Sequence, residues 1–213
     1  MPVCRLDNEI WFPDVSFGEE NMPLAVGGDL SIERLLLAYS NGIFPWYNPG
    51  SPILWWCPKQ RYIIRPEKIH ISQSMKKFMK KHEIKYTCNQ TFMRTMHRCR
   101  MKRKDETWIT DEMEEAYNRL YEAGHAMSVE ALVDGEVAGG LYGVVMNNYF
   151  CGESMYTDIE NGSKLALIGL ANALQKLDFK MIDCQFHTDH LESMGGEYIS
   201  YEEYMRIVRG VVE

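Results

Sequence analysis

The fold is decided by residues 126–156, AMSVEALVDGEVAGGLYGVVMNNYFCGESMY. The pairs Asp134-Gly135 and Asn147-Asn148 are typical of tight hairpin turns, and they divide this stretch into three apolar segments. Strands that are joined by such short turns must run antiparallel to each other. The stretch therefore predicts a three-stranded antiparallel meander.

The segments on either side of the meander show helical patterns. Before it, TDEMEEAYNRLYEAG (110–124) has Thr110 as an N-cap, acids in the first turn and Gly124 as a stop. After it, GSKLALIGLANALQKL (162–177) is apolar almost all round, which predicts a buried helix, and the short strand MIDCQF (181–186) follows. Helix, meander, buried helix and strand in this order form the core of the GNAT acyltransferase architecture.

The N-terminal part of the chain is rich in turns and holds one clear helix, SIERLLLAYSNG (31–42). Ser31 is expected to cap this helix and Gly42 to end it. The sequence thus predicts an α+β protein in two parts: a small N-terminal domain over residues 1–62, followed by a GNAT-like acyltransferase domain with a mostly antiparallel central sheet over 63–213.

Length and composition restrict the class of protein further. The chain has 213 residues, of which 46% are apolar, and this is ample for a folded core. No apolar run approaches the roughly 18 to 20 residues that a membrane span needs, and the N-terminus lacks a signal-peptide pattern. The six cysteines include no CxxC pair, which favours reduced thiols. We therefore expect a cytoplasmic protein without membrane association.

The charge of the chain is distributed unevenly. The net charge is −7, yet eleven lysines and arginines and a single acid, Glu83, lie between Lys76 and Lys104, so this basic segment carries +10 and the remainder −17. A local field of that size can attract a polyanion, although a solvated helix pair is an equally good interpretation. The segment contains two basic amphipathic patterns, 74–82 and 89–101. Their residues expected to face inward are Met75, Phe78 and Met79, then Phe92, Met93 and Met96.

A polar row on an otherwise apolar strand is the first candidate site. In MIDCQFHTDH, strand alternation places Asp183, Gln185 and His187 on one face, which indicates a functional cleft or an edge that faces water. Together with Asp189 and His190, Asp183 and His187 could ligate a metal ion. The two histidines are only three residues apart in a loop-like segment, and no second cluster supports them, so we expect no metal site.

Glu153 in YFCGESMY is the second candidate. On a regular strand it shares a face with Cys151 and Met155, and an unpaired carboxylate in such an apolar wall is costly. Groups of this kind are either paired structurally or used functionally, and the sequence leaves both interpretations open.

Tryptophans form the third candidate. Trp46 follows a proline in a turn and Trp108 stands just before a helix cap, and both are positions from which side chains line clefts. Core packing is the alternative interpretation. Stacking of a nucleic-acid base on an exposed ring is worth about 1–3 kcal/mol, so either ring could hold a base.

The turn before the buried helix argues against coenzyme A. Enzymes of this architecture that use acetyl-CoA normally hold its pyrophosphate on a Q/R-x-x-G-x-G/A turn. Here the turn reads DIENGSKLAL, in which only Gly162 fits. The donor is therefore not expected to be coenzyme A, although Ser163 and Lys164 at the helix N-terminus could still meet a phosphate.

Taken together, the motifs resemble the leucyl/phenylalanyl-tRNA–protein transferase family. The resemblance covers nearly the whole chain, in order, through FP…LAVGGDLSIERLLLAYSNGIFPWYNPGSPILWWCP, TWIT, GGLYGV, FCGESMYTDIENGSKLAL and IDCQ…DHLESMGG. It implies a bacterial cytoplasmic enzyme that moves Leu, Phe or, less well, Met from aminoacyl-tRNA to the N-terminal Arg or Lys of a protein, which marks that protein for N-end-rule degradation. No cofactor is implied, and we expect a monomer.

The resemblance also assigns roles to residues. Trp46 and Trp108 are implied to hold the 3′ adenosine of the tRNA, with Tyr39 and Tyr117 nearby. The implied amino-acid pocket consists of Leu141, Met155 and Ile182. From the charge pattern, we expect Lys76, Lys77, Lys80 and Lys81 to bind the body of the tRNA through its phosphates.

The resemblance implies that the catalytic group is Asp183, Gln185 and Glu153. We expect Asp183 to orient Gln185 and to help deprotonate the attacking amine, directly or through Gln185. Glu153 then holds the cationic side chain of the acceptor or shares the role of base.

Two rival functions remain at this stage. A CoA-dependent acetyltransferase on the same fold is disfavoured by the missing pyrophosphate turn. A non-catalytic tRNA-binding module would leave Glu153, Asp183 and Gln185 without a common purpose.

Overall fold

The N-terminal part of the protein forms a small sheet and one helix. The computed structural model describes residues 3–19, 21–103 and 107–211. The small sheet has the strand order β1-β2-β4-β3. Its strands are β1 (Cys4–Leu6), β2 (Ala25–Gly27), β3 (Phe44–Pro45) and β4 (Leu54–Trp56). Helix α1 (Ile32–Ser40) begins at Ser31, whose side chain accepts a hydrogen bond from the backbone N–H of Arg34, as predicted.

A larger sheet of seven strands follows, in the order β11-β5-β10-β9-β8-β7-β6. Its strands are β5 (Gln60–Ile64), β6 (Ile84–Cys88), β7 (Ala126–Val133), β8 (Glu136–Val145), β9 (Tyr149–Thr157), β10 (Met181–Gln185) and β11 (Glu197–Ser200). All neighbours in the sheet pair antiparallel except β9 and β10, which are parallel. The predicted meander is confirmed, and Asp134 and Gly135 make its first turn with φ of 52° and 90°.

Helices cover both faces of the larger sheet. They are α2 (Gln73–Lys81), α3 (Phe92–Arg103), α4 (Asp111–Glu122), α5 (Gly162–Lys176), α6 (Asp189–Ser193) and α7 (Tyr201–Val208). Residues of α5 and Met75 of α2 belong to the apolar core on one face. Helices α1, α3, α4 and α7 contribute to the core on the other face, together with the small sheet. Among the described residues, none of these helices is both long and apolar enough to cross a membrane.

Helix α5 is buried, as its apolar sequence predicts. Its first residue, Gly162, lies so close to β8 that a Cβ atom there would come within 1.9 Å of the carbonyl oxygen of Ala138. Glycine is therefore needed at this position for the helix to approach the sheet. The one glycine that the sequence retains in the turn before α5 thus has a packing role.

One local expectation was wrong. Met93 was expected to face inward, but its side chain is 56% exposed, whereas its neighbours Phe92 and Met96 are buried.

Helix α7 begins with half of a reciprocal capping pair between Ser200 and Glu203. Ser200 accepts the backbone N–H of Glu203, but the Glu203 carboxylate instead binds the side chain of Arg65 at 2.7 Å.

The division of the chain at residue 62 stays a prediction. Strand β5 extends across that position and belongs to the larger sheet. Side chains from both predicted parts, such as Trp55 and Tyr117, belong to the same apolar core.

Candidate active site

The larger sheet opens where its two parallel strands part. Strands β9 and β10 pair over three residues and stop at the pair Asp183–Cys151. Just beyond this pair, each strand shifts register against its other neighbour: β9 against β8 around Glu153, and β10 against β5 between Asp183 and Gln185. A cleft of about 710 Å³ begins at this opening, and Glu153 and Gln185 line it.

The two irregularities overturn the strand alternation that the sequence suggested. Gln185 has a left-handed backbone with φ of 65°, and its backbone N–H donates to Asp183 Oδ1 at 2.9 Å. The Gln185 side chain therefore lines the cleft together with Ile182 and Cys184, whereas the Asp183 side chain is fully buried outside it. Period two holds only for a regular strand, so the expected shared face of Asp183 and Gln185 was wrong.

Asp183 is held by a buried arginine. Arg61 donates from Nε to Oδ1 at 2.9 Å and from Nη2 to Oδ2 at 2.7 Å, and the Tyr204 hydroxyl donates to Oδ2 at 2.9 Å. Both charged side chains are at most 2% exposed. Arg61 and Tyr204 thus occupy both carboxylate oxygens, and the buried Asp183 side chain has no path to a molecule in the cleft.

Glu153 is the carboxylate that does face the cleft. Its Oε1 accepts hydrogen bonds from the Tyr39 hydroxyl at 2.7 Å and from Gln185 Nε2 at 3.2 Å, and its Oε2 accepts one from the Tyr117 hydroxyl at 3.2 Å. Burial raises the pKa of the Glu153 carboxyl to about 7, and the hydrogen bonds from the two tyrosines lower it only in part. Glu153 can therefore gain or lose a proton near neutral pH.

The positions of Tyr39 and Tyr117 differ from what the resemblance implied. Both side chains are at most 1% exposed, neither lines the cleft, and their hydroxyls touch each other as well as Glu153. Burial, with the Glu153 carboxylate nearby, holds the pKa of both tyrosines well above the ordinary value, so both remain donors. They support Glu153 from behind instead of lying beside a bound adenosine.

Aromatic side chains form one part of the cleft wall. Trp46 is 43% exposed, and its ring lies 5.4 Å from that of Phe186, while Trp108 is half-buried; all three line the cleft. The hydroxyl of Tyr47 reaches a carboxylate oxygen of Glu112 at 3.4 Å, which connects the loop after β3 to the start of α4. The two tryptophans therefore line one cleft from two segments that are in contact with each other.

Apolar side chains form another part. Leu141, Met155 and Ile182 line the cleft, and their assignment as the amino-acid pocket stays a prediction. The pocket also includes Phe150 from β9 and two residues of α5, Leu167 and Leu170, which the sequence analysis did not single out. The apolar character of α5 on all sides was the signal that could have identified the latter two.

The basic segment is partly neutralised. Arg98 and Lys102 pair with Asp158, and Arg100 pairs with Asp111 and Glu114. By contrast, the four lysines of α2 are exposed and form no ion pair with any described residue; they are Lys76, Lys77, Lys80 and Lys81. They lie away from the cleft wall. Lys104 lies outside the described residues.

The metal-ligand set that the sequence suggested is not assembled. Asp183 is bound to Arg61, and the described groups that do lie close together are those of His187, Asp189 and Glu192, within 4.8 Å of one another. All three are exposed, and His187 Nε2 lies 3.0 Å from Glu192 Oε2. A contact between His187 and Glu192 at the surface accounts for two of these three groups.

Fold and site together define the class of protein. A mostly antiparallel sheet that opens between two parallel strands, with a titratable carboxylate and an amide at the opening, is the arrangement of a GNAT-like acyltransferase. Residues 63–209 match the family model described as leucyl/phenylalanyl-tRNA protein transferase, and residues 28–59 match that of its N-terminal domain. The chain belongs to the leucyl/phenylalanyl-tRNA protein transferase family.

Similar proteins agree with this assignment. A leucyl/phenylalanyl-tRNA–protein transferase of Syntrophus aciditrophicus is 46% identical over 212 residues, which is 98% of this chain and 89% of the relative. One from Desulfatibacillum aliphaticivorans is 50% identical over 200 residues, 92% of this chain and 86% of the relative. Among solved structures, a conserved protein from Bacteroides thetaiotaomicron VPI-5482 aligns at 12% identity with a TM-score of 0.47, covering 71% of this chain and 55% of that one.

Proposed function

We propose that this protein transfers leucine, phenylalanine or methionine from aminoacyl-tRNA to the N-terminal arginine or lysine of acceptor proteins. The transfer marks the acceptor for N-end-rule degradation. The enzyme acts in the cytoplasm, as a monomer and without a cofactor. One observation carries the proposal: Gln185 Nε2 donates to Glu153 at 3.2 Å in a cleft that has both an aromatic and an apolar wall. Membership of the family supports it.

The two walls suit the two ends of an aminoacyl-adenosine. The adenine base stacks at Trp46 and Trp108, and the amino-acid side chain enters the apolar pocket of Leu141, Met155 and Ile182. With both ends held, the ester carbonyl lies between them, beside the polar groups at the opening of the sheet. Holding the reacting groups in place in this way supplies a large share of the rate of a two-substrate reaction.

The chemistry that remains is the attack of an α-amine on an activated ester. The C–N bond forms, the bond from the carbonyl carbon to the ribose oxygen breaks, and the tRNA leaves with a free hydroxyl group. Gln185 has a second amide hydrogen beyond the one it donates to Glu153, and we assign this hydrogen to the oxyanion that develops on the carbonyl.

Glu153 is our candidate for the group that receives the acceptor. It is the one carboxylate among the described residues that line the cleft, and it attracts the α-ammonium group of the peptide. With a pKa of about 7, it can take a proton from this amine at neutral pH and return it to the leaving oxygen. The base role assigned to Asp183 from sequence is thereby moved to Glu153.

Asp183 then has a positioning role. It accepts the backbone N–H of Gln185 and is itself fixed by Arg61 and Tyr204. Asp183 thereby stabilises the left-handed turn that aims the Gln185 side chain into the cleft. We therefore keep the expected role of Asp183 in orienting Gln185. This role involves no proton transfer to or from Asp183.

A transfer assay tests the proposal against both rivals. Radiolabelled Phe-tRNA is incubated with a peptide that begins with arginine, and labelled acetyl-CoA is supplied in a parallel reaction. We expect label on the peptide from Phe-tRNA alone, and none on a peptide with a blocked N-terminus. Label on the peptide from acetyl-CoA would show that the protein is an acetyltransferase. Binding of tRNA without any transfer would show that it is a tRNA-binding module.

A further inference from the structure

Arg103 stands at the C-terminal end of α3 with its exposed side chain in the wall of the cleft. It is the one lysine or arginine among the described residues that line this cleft. In sequence, Arg103 precedes Trp108 by five residues, and α4 begins shortly after Trp108. The start of α4 contacts the loop that carries Trp46 through the hydrogen bond from Tyr47 to Glu112. A positive charge is thus placed in the cleft that contains the two tryptophans.

The ion pairs of α3 set Arg103 apart from its neighbours. The three basic side chains that directly precede Arg103 on α3, among the described residues, are paired with acids, as Arg98–Asp158, Lys102–Asp158, Arg100–Asp111 and Arg100–Glu114. Arg103 forms no ion pair with any described residue. The single carboxylate of the cleft wall, Glu153, forms hydrogen bonds with Tyr39, Tyr117 and Gln185 and no ion pair with Arg103. The Arg103 guanidinium is therefore available to an anionic ligand.

We propose that Arg103 binds the 5′ phosphate of the terminal adenosine of the donor. This inference rests on the proposed function, since a base stacked at Trp46 and Trp108 brings with it a ribose whose 5′ oxygen carries a phosphodiester. A guanidinium is planar and always charged, and its paired N–H groups match two phosphate oxygens. Arg103 thus fixes the donor at the nucleotide next to the reacting ester.

This role differs from that of the exposed lysines on α2. Those lysines are expected to contact phosphates along the body of the tRNA and to lie away from the cleft wall. Arg103 is assigned to the one phosphate of the terminal nucleotide itself. Its contribution is therefore measurable on a mononucleotide, with no tRNA present.

The test compares two ligands that differ in one phosphate. Dissociation constants are measured for adenosine and for adenosine 5′-methylphosphate, which carries the single negative charge of a phosphodiester. The proteins are the wild type, Arg103→Gln and the control Arg206→Gln. Arg206 is also exposed, lies on α7 outside the cleft wall and forms no ion pair with any described residue, so the control loses the same charge elsewhere.

We expect the wild type and Arg206→Gln to bind the methylphosphate at least about tenfold more tightly than adenosine, as charge-assisted hydrogen bonds provide. Arg103→Gln should bind the two ligands equally and bind adenosine as the wild type does. An undiminished preference in Arg103→Gln, or no preference in the wild type, would overturn the inference. A retained phosphate preference without any transfer from Phe-tRNA would instead contradict the proposed function and leave this phosphate site in place.

Discussion

Arg61 and Asp183 form a fully buried ion pair through two hydrogen bonds, of 2.9 and 2.7 Å. Strand β5 carries Arg61, and its neighbour β10 carries Asp183, so the pair connects two strands at the point where the sheet opens. Asp183 also accepts a hydrogen bond from the backbone N–H of Gln185, and this bond extends the connection to the cleft. Asp183 cannot reach the substrate itself, but it determines the position of Gln185, which can.

Replacing Asp183 by asparagine should affect stability and catalysis together. The change leaves the Arg61 guanidinium buried without a charge partner, and breaking a buried pair in this way costs about 3–5 kcal/mol. We expect a lower midpoint of urea unfolding, and a lower kcat in the remaining folded protein because Gln185 is no longer held. The KM for phenylalanyl-adenosine should change little. A variant of normal stability and normal kcat would remove Asp183 from this account.

Trp46→Ala and Trp108→Ala should each weaken binding of the donor, both as full-length Phe-tRNA and as phenylalanyl-adenosine. Loss of one base stack costs about 1–3 kcal/mol, or roughly 5- to 150-fold in KM. Steady-state kinetics with Phe-tRNA and with phenylalanyl-adenosine should show the same rise. Phe17→Ala, which removes an exposed ring outside the cleft wall, provides the control. A rise with Phe-tRNA alone would mean that the tryptophans do not hold the terminal adenosine.

The four lysines of α2 should account for much of the salt dependence of tRNA binding. Changing Lys76, Lys77, Lys80 and Lys81 to alanine should raise the dissociation constant for deacylated tRNA and flatten its dependence on salt concentration, because fewer phosphates are neutralised. The control removes four exposed cations elsewhere: Arg5, Lys176, Arg206 and Arg209. If both variants showed the same slope, the α2 lysines would have no specific role in tRNA binding.

The apolar pocket should discriminate between donors by size. Leu141→Phe places a larger side chain beside Met155 and Ile182, so it should reduce kcat/KM for Phe-tRNA more than for Leu-tRNA. Competition between the two donors in a single reaction measures this ratio directly. Equal losses for both donors, with normal binding of deacylated tRNA, would place the side-chain pocket elsewhere.

Much of the fold could be predicted because its signals are local. The hairpin turn at Asp134 and Gly135, the cap at Ser31 and the apolar sequence of α5 each determine structure within a few residues. Strands β5 and β11 were not predicted, because they pair with partners that are distant in sequence. Nothing in their own residues indicates that pairing.

The site could be predicted as a set of residues but not as an arrangement. Glu153, Asp183 and Gln185 were identified together, yet the register shifts in β9 and β10 decide which of them face the cleft. Such shifts depend on strand neighbours and leave no periodic signal. Arg61 is the sequence signal that could have indicated the burial of Asp183, because an arginine in an apolar strand needs a buried acid as its partner.

Glu153 is assigned as the group that takes the proton of the attacking amine. Single-turnover rates of transfer from Phe-tRNA to a peptide that begins with arginine test this assignment most directly, measured from pH 5.5 to 8.5 for the wild type and for Glu153→Gln. Glutamine keeps the shape of the side chain and still accepts a hydrogen bond from Tyr39, but it cannot act as a base. The titration of the acceptor amine cancels in the ratio of the two rates.

The ratio of the wild-type rate to the Glu153→Gln rate should rise with pH as Glu153 loses its proton, and should level off above the Glu153 pKa of about 7. On the plateau, the wild type should be about 10²- to 10⁴-fold faster, the usual contribution of a general base. A ratio near one, or a ratio that does not change between pH 5.5 and 8.5, would contradict the assignment of Glu153 as the base.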